Sequence, residues 1–250
     1  MNVVVDGLLT HYARLGSGKL VIILPGWGDT SAGWLAFQKL LSARYDVVVL
    51  DLPGFGGTQA PEGAWGLAEY AAFVGNFLKK LDLKTPYAVI GHSNGGAIAQ
   101  RGLHLRTFAA DRLVLLASAG VRNQNQRRGV MLLLLAKSGK LGARLLPTSV
   151  QQKLRRQLYK SVGSDMLIAE HMRPTFQKIV ADDTQQDATT ITVPTLLIYG
   201  DKDTATPPDF GQTFHKLIAS STLQIVPGAG HFVHLEQSGV VLKKIEDFLT

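Results

Sequence analysis

Cysteine is absent from this chain of 250 residues, which excludes disulfide bridges, a thiolate nucleophile and a metal site with cysteine ligands. No apolar run comes close to the roughly 20 residues that a membrane-spanning helix needs. The first residues, Met1 to Asp6, show no basic stretch followed by an apolar run, so we expect a cytoplasmic protein without a signal peptide. The 26 glycines and 10 prolines follow no repeating period, which excludes collagen-like and low-complexity chains.

Acidic residues are missing from one long stretch, because none lies between Arg127 and Lys160. The whole chain has 26 Lys and Arg against 19 Asp and Glu, a net charge of +7. The segment 122–190 alone carries 12 basic and 5 acidic residues, which accounts for all of that net charge. This shift in composition predicts a separate module, 122–190, inserted into a neutral body formed by 1–121 and 191–250.

What the body does contain is a series of short apolar runs that end at glycine or proline loops. Such continuous runs are typical of strands buried on both faces of a parallel sheet. Five are clear and the sixth is weaker: Leu20–Leu24, Asp46–Leu50, Ala88–Ile90, Leu113–Leu116, Thr195–Tyr199 and Leu223–Val226. Stretches with helical spacing of apolar residues alternate with them, which predicts an α/β fold with helices on both sides of the sheet.

The alternation of strands and helices stops between residues 122 and 190. Val150, Leu154, Leu158 and Val162 recur at helical spacing there, and no convincing strand pattern appears. We therefore expect this segment to be a helical cap between two strands of the sheet.

A candidate nucleophile follows the strand that ends at Ile90. The motif runs from Gly91 through His92, Ser93 and Asn94 to Gly95, and a helical stretch comes next. A sharp turn from strand to helix would lift the serine hydroxyl off the sheet, and its neighbours two residues away must then be small. The alternative is a glycine-rich turn in which Ser93 only caps the helix. The strand before and the helix after favour the nucleophile.

A serine hydroxyl needs a base, and the base needs an orienting acid. For a nucleophile on such a turn the expected chain order is serine, then acid, then histidine, on loops after later strands. The loop after Thr195–Tyr199 offers Asp201 and Asp203, of which we favour Asp203, and the loop after Leu223–Val226 offers His231.

Two further histidines adjoin these candidates. We interpret His92 as buried support and His234 as a helix-packing residue.

Acyl transfer also needs hydrogen-bond donors for the developing oxyanion. We expect the backbone N–H groups of Asn94 and of Trp27 to supply them. Trp27 lies in the loop after Leu20–Leu24, where Gly26 lets the backbone approach a substrate. The alternative for Trp27 is a ring packed in the core of a tight turn.

Taken together, these segments resemble the α/β-hydrolase superfamily over essentially the whole chain, in its branch with a serine nucleophile. The resemblance rests on Leu24–Gly28, Asp51–Gly56, Gly91–Gly96 and the two loops that carry Asp203 and His231. It implies a mostly parallel eight-stranded sheet, a helical cap after the sixth strand, and a triad of Ser93, Asp203 and His231. Pro25 departs from the pattern, because these proteins usually have histidine before the glycine of the oxyanion loop. Epoxide hydrolases and haloalkane dehalogenases of this fold use an aspartate nucleophile, so Ser93 argues against both.

The resemblance implies hydrolysis of carboxylic esters through an acyl-enzyme, without a metal or organic cofactor. Hydrolytic carbon–carbon cleavage of ring-fission diketones remains an alternative, a cofactor-free haloperoxidase-like activity is a side possibility, and a ligand-binding receptor that keeps the fold is a reading of a different class. We expect a small-molecule ester or related acyl compound as partner and, since no recognition motif is present, no nucleic acid. The apolar run Val130–Ala136 beside the basic stretch predicts a cap helix over the pocket, or a lid that makes weak contact with an anionic surface.

Overall fold

The computed structural model describes residues 1–122 and 172–250. In these ranges the chain begins with three strands, after which each strand is followed by one or two helices. The strands are β1 (Asn2–Val5), β2 (Leu8–Leu15), β3 (Leu20–Leu24), β4 (Asp46–Leu50), β5 (Ala88–His92), β6 (Leu113–Leu116), β7 (Thr195–Gly200) and β8 (Ser221–Val226). The helices are α1 (Ser31–Leu41), α2 (Leu67–Lys80), α3 (Asn94–Leu105), α4 (Arg173–Ala181), α5 (Gln185–Ala188), α6 (Pro208–Leu217), α7 (Val233–Glu236) and α8 (Ser238–Leu249).

The eight described strands form one sheet in the order β1-β2-β4-β3-β5-β6-β7-β8. Strands β1, β2 and β4 pair antiparallel, and every pairing from β4 through β3 to β8 is parallel. The continuous apolar runs become β3 to β7, in which each residue is buried. The weaker sixth run becomes β8 at the edge of the sheet, where most residues stay partly exposed. The predicted architecture, a mostly parallel eight-stranded sheet flanked by helices, is confirmed.

Apolar side chains fill the space on both faces of this sheet. Because successive side chains of a strand point to opposite faces, Ile22 and Leu24 of β3 join one core cluster while Val21 and Ile23 join the other. Helices α2, α3 and α6 contribute to the first cluster, and α1 and α8 contribute to the second. The sheet is therefore packed on both faces, and its carboxyl edge carries the loops described below.

Much of the predicted cap lies outside the described residues. The helix stripe from Val150 to Val162, the apolar run Val130–Ala136 and the acid-free basic stretch all fall in 123–171, so they and the domain bounds stay predictions. The described part of the segment is helical, as α4 and α5. Arg101 of α3 fastens this part to the body, with its guanidinium 2.6 Å from a carboxylate oxygen of Asp187 and 3.1 Å from one of Asp182. Among the described helices, none is long and apolar enough to cross a membrane.

Candidate active site

Ser93 occupies a tight turn between β5 and α3. Its φ of 50° and ψ of −115° lie in a region that residues with a side chain rarely adopt, at a cost of about 1–3 kcal/mol. A Cβ on Gly91 would lie 2.5 Å from the Cα of Gly96, and a Cβ on Gly95 would overlap the carbonyl oxygen of Leu24. The turn therefore needs glycine on both sides of the serine, as the sequence spacing predicts.

The structure brings Ser93, His231 and Asp203 together in one chain of hydrogen bonds. His231 Nε2 lies 3.0 Å from Ser93 Oγ, and His231 Nδ1 lies 2.8 Å from Asp203 Oδ2. The serine follows β5, the aspartate follows β7 and the histidine follows β8. Parallel strands place their carboxyl ends at the same edge of the sheet, so residues 138 positions apart in the chain meet there.

Asp203 is held as a carboxylate by its surroundings. Its side chain is completely buried, and its Oδ1 accepts hydrogen bonds from the backbone N–H groups of Ala205 and Thr206 at 2.8 and 3.0 Å. Burial alone would raise the pKa of Asp203, but the hydrogen bonds from His231 and Thr206 outweigh it and hold this pKa below its usual value. A carboxylate beside Nδ1 favours the imidazole tautomer with its proton on Nδ1, and in that tautomer the unprotonated Nε2 faces Ser93 Oγ.

Thr206 is a member of the site that the sequence analysis missed. Its hydroxyl lies 2.7 Å from Asp203 Oδ2, 3.1 Å from His231 Nδ1 and 2.9 Å from the carbonyl oxygen of Ala117. The Thr206 hydroxyl therefore contacts both Asp203 and His231. In turns an aspartate side chain commonly accepts a hydrogen bond from the backbone N–H two residues on, as Asp203 does from Ala205. That turn was the available signal for a contact near Thr206.

Asp201 leaves the same strand end and was the alternative acid. It is exposed and accepts a hydrogen bond from the backbone N–H of Gly228 at 2.7 Å. The structure therefore places Asp203 beside His231, and Asp201 joins two loops at the surface.

His92 and His234 lie next to each other in a buried aromatic layer, and the His92 ring contacts the ring of His231. His92 is 1% exposed, and its Nε2 lies 3.0 Å from the carbonyl oxygen of His231. His234 stacks on the ring of Trp34 with centroids 3.9 Å apart. Burial lowers the pKa of His92 well below its usual value and lowers the pKa of His234 to about 3, so both rings are neutral near pH 7.

The loop after β3 passes beside Ser93. A Cβ on Gly26 would lie 3.3 Å from the Cβ of Ser93, so the backbone that leads into Trp27 runs close to the serine. The Trp27 ring packs against Phe55 and Phe176, with centroids 4.7 and 5.1 Å away. A core role for the ring and a backbone role for the loop are thus compatible.

Asn94 begins α3 directly after the serine, at the helix end where N–H groups lack intrahelical partners. This is the position that the sequence analysis proposes for the other oxyanion donor.

In residues 1–122 and 172–250, no group of three or more His, Asp and Glu side chains is placed to hold a metal ion.

Comparison with known proteins adds four findings. A model of the alpha/beta hydrolase family matches residues 21–243. A 2-hydroxy-6-oxo-2,4-heptadienoate hydrolase of Pseudomonas putida is 25% identical over an alignment 270 residues long, gaps included. The alignment covers 99% of this chain and 95% of that protein. Among solved structures, an esterase from Exiguobacterium antarcticum matches with a TM-score of 0.75 and 23% identity, over 99% of this chain and 98% of that one. A bacterial membrane phospholipase A matches with a TM-score of 0.80 and 23% identity, over 100% and 84%. At these identities the solved structures show a shared fold.

Proposed function

The chain belongs to the alpha/beta hydrolase family, and from this premise we propose that it is a serine hydrolase that cleaves carboxylic esters. The observation that carries the proposal is the unbroken chain of hydrogen bonds from Ser93 through His231 to the buried carboxylate of Asp203. A binding protein that merely kept the fold would have no need for a strained serine aligned with a base and an acid. The geometry therefore favours catalysis over binding alone.

The proposed reaction begins with attack of Ser93 Oγ on the acyl carbon of the ester. His231 Nε2 takes the hydroxyl proton and then gives it to the departing alcohol, while Asp203 keeps the imidazole in the required tautomer. The backbone N–H groups of Trp27 and Asn94 would stabilise the oxyanion. Water, activated by the same histidine, then hydrolyses the acyl-enzyme and regenerates Ser93.

Hydrolytic carbon–carbon cleavage is the second candidate. It is favoured by the likeness, over 99% of this chain, to the Pseudomonas putida protein that is named as a 2-hydroxy-6-oxo-2,4-heptadienoate hydrolase. The likeness to a solved esterase covers as much of the chain. Both reactions can use the same three side chains, so turnover of matched substrates must decide between them.

The experiment is a substrate panel read in wild type and in Ser93→Ala. We expect turnover of aryl esters of short and longer acids to exceed turnover of a ring-fission dienoate, and we expect Ser93→Ala to abolish it in a folded protein. A fluorophosphonate should label wild type at Ser93, and Ser17→Ala, at an exposed serine, should be labelled like wild type. Turnover of the dienoate alone would establish the second candidate. A folded Ser93→Ala that keeps near wild-type turnover would refute both.

A further inference from the structure

The buried imidazole of His92 links the nucleophile to the backbone of the base. His92 precedes Ser93 directly, and its Nε2 lies 3.0 Å from the carbonyl oxygen of His231, 139 residues away in the chain. A carbonyl can only accept, so Nε2 carries the proton and donates it. His92 and His231 also lie ring to ring, with centroids 4.9 Å apart.

The loop that carries Gly26 also touches the imidazole of His92. A Cβ on Gly26 would lie 2.8 Å from His92 Nδ1, so the loop proposed to carry an oxyanion donor packs against the ring on that side. Within residues 1–122 and 172–250, Nδ1 has no hydrogen-bond partner, which is the expected state of the unprotonated nitrogen when Nε2 holds the proton. The ring of His92 thus borders three segments, which are the turn at Ser93, the loop that carries His231 and the loop that carries Gly26.

Other hydrogen bonds also hold the loop that carries His231, and the backbone N–H of Lys202 donates to the carbonyl oxygen of Ala229 at 2.9 Å. The backbone N–H groups of Gly230 and Phe232 donate to the carboxylate of Glu236 at 2.7 and 3.2 Å, on the exposed side of the loop. None of these bonds reaches the backbone of His231 itself, whose carbonyl oxygen lies 3.0 Å from His92 Nε2. A general base must stay within hydrogen-bond reach of the hydroxyl that it deprotonates. A hydrogen bond that holds the backbone of His231 therefore affects the distance between His231 Nε2 and Ser93 Oγ.

His234 shows what an imidazole with only a packing role looks like here. It is fully buried and stacked on Trp34. Both of its ring nitrogens lack hydrogen-bond partners among the described residues. His92 differs by its bond to the backbone of the base, so the two residues offer a matched comparison.

We propose that His92 is a positioning residue: its Nε2–H holds the His231 carbonyl and thereby sets the distance between the base and Ser93 Oγ. The inference rests on the proposed function, because it concerns how that site is held. It assigns His92 no contact with substrate and no proton transfer.

The test compares His92→Phe, His92→Gln and His234→Phe in the intact protein. Phe fills the space without a donor, whereas the Gln amide can still donate to the carbonyl. We expect His92→Phe to lower kcat for an aryl ester about 10- to 100-fold, since a misplacement of about 1 Å can cost a factor of 100. The rate of fluorophosphonate inactivation should fall in parallel, and the inhibition constant of the product acid should stay unchanged. His92→Gln should recover most of the loss, and His234→Phe should keep kcat within about twofold of wild type.

Three outcomes would overturn the proposal. One is a folded His92→Phe with wild-type kcat. Another is an equal loss in His92→Phe and His92→Gln, which would indicate a packing role alone. The third needs no variant, because a ¹⁵N spectrum of wild type with the His92 proton on Nδ1 would show that the bond is not made. This spectrum also decides the matter if His92→Phe does not fold. A wild type with no hydrolase activity would instead count against the proposed function.

Discussion

Exchanging Asp203 for asparagine changes one atom of the site and tests how the base is oriented. Oδ1 of Asp203 accepts two backbone N–H bonds, from Ala205 and Thr206, so an asparagine there will place its oxygen at the same point. Its NH₂ group then takes the position of Oδ2, 2.8 Å from His231 Nδ1. Since the amide donates, Nδ1 must accept, and the imidazole proton moves to Nε2.

The displaced proton then faces the nucleophile. His231 Nε2 lies 3.0 Å from Ser93 Oγ, and a protonated Nε2 cannot take the hydroxyl proton. The corresponding exchange in a serine protease lowers kcat by about 10⁴-fold, or about 5 kcal/mol of transition-state stabilisation. The side chain of Asp203 is completely buried, so water has little access to hydrogen-bond His231 Nδ1 in place of the carboxylate. We therefore expect a loss of kcat of the same order.

The assay is kcat/KM for an aryl ester near pH 8, with Asp201→Asn as the control. Asp201 bonds only the backbone N–H of Gly228 among the described contacts of its side chain, so its exchange should cost less than about tenfold. A loss below tenfold in Asp203→Asn, or a larger loss in Asp201→Asn, would refute the orientation argument.

Three further predictions address packing, protonation and charge. Gly95→Ala should lower the free energy of unfolding in urea by several kcal/mol, because the added Cβ would overlap the backbone. Gly239→Ala lies in a helix with open space around the Cβ, so it should raise that free energy by about 0.5–1 kcal/mol. Equal effects of the two substitutions would contradict this prediction. The folded pKa of His234, about 3, lies below its unfolded value of about 6.5, so the stability it contributes is complete above pH 6.5 and is lost as pH falls toward 3. Between pH 7.5 and pH 5 the free energy of unfolding of wild type should therefore fall by about 2 kcal/mol more than that of His234→Phe. An equal fall in the two proteins would contradict this prediction. Finally, kcat/KM for an anionic ester should fall as ionic strength rises, while kcat/KM for a neutral ester of similar size should barely change. The double variant Arg155→Gln, Arg156→Gln should weaken the salt dependence for the anionic ester. The same salt dependence for both esters would show that the basic segment is only a solvated surface.

Much of the fold was predictable because burial on both faces leaves a plain mark in the sequence. Strands β3 to β7 are continuous apolar runs, since each of their residues is buried. Strands β1 and β2 escaped prediction because they pair antiparallel near an edge and mix exposed with buried residues. The turn at Ser93 was also local, because the strain at one serine demands glycine two positions away on each side.

Other features of the site depend on distances that no local pattern contains. Asp201 and Asp203 leave the same strand, and only the packed loops decide that Asp203 faces His231 while Asp201 turns to Gly228. The bond from His92 to the carbonyl of His231 joins residues 139 positions apart. Sequence spacing thus determined which residue types stand at the carboxyl edge of the sheet, because strand burial and turn strain are local. Tertiary structure decided which of them meet, because hydrogen bonds between loops form only when separate strands pack side by side.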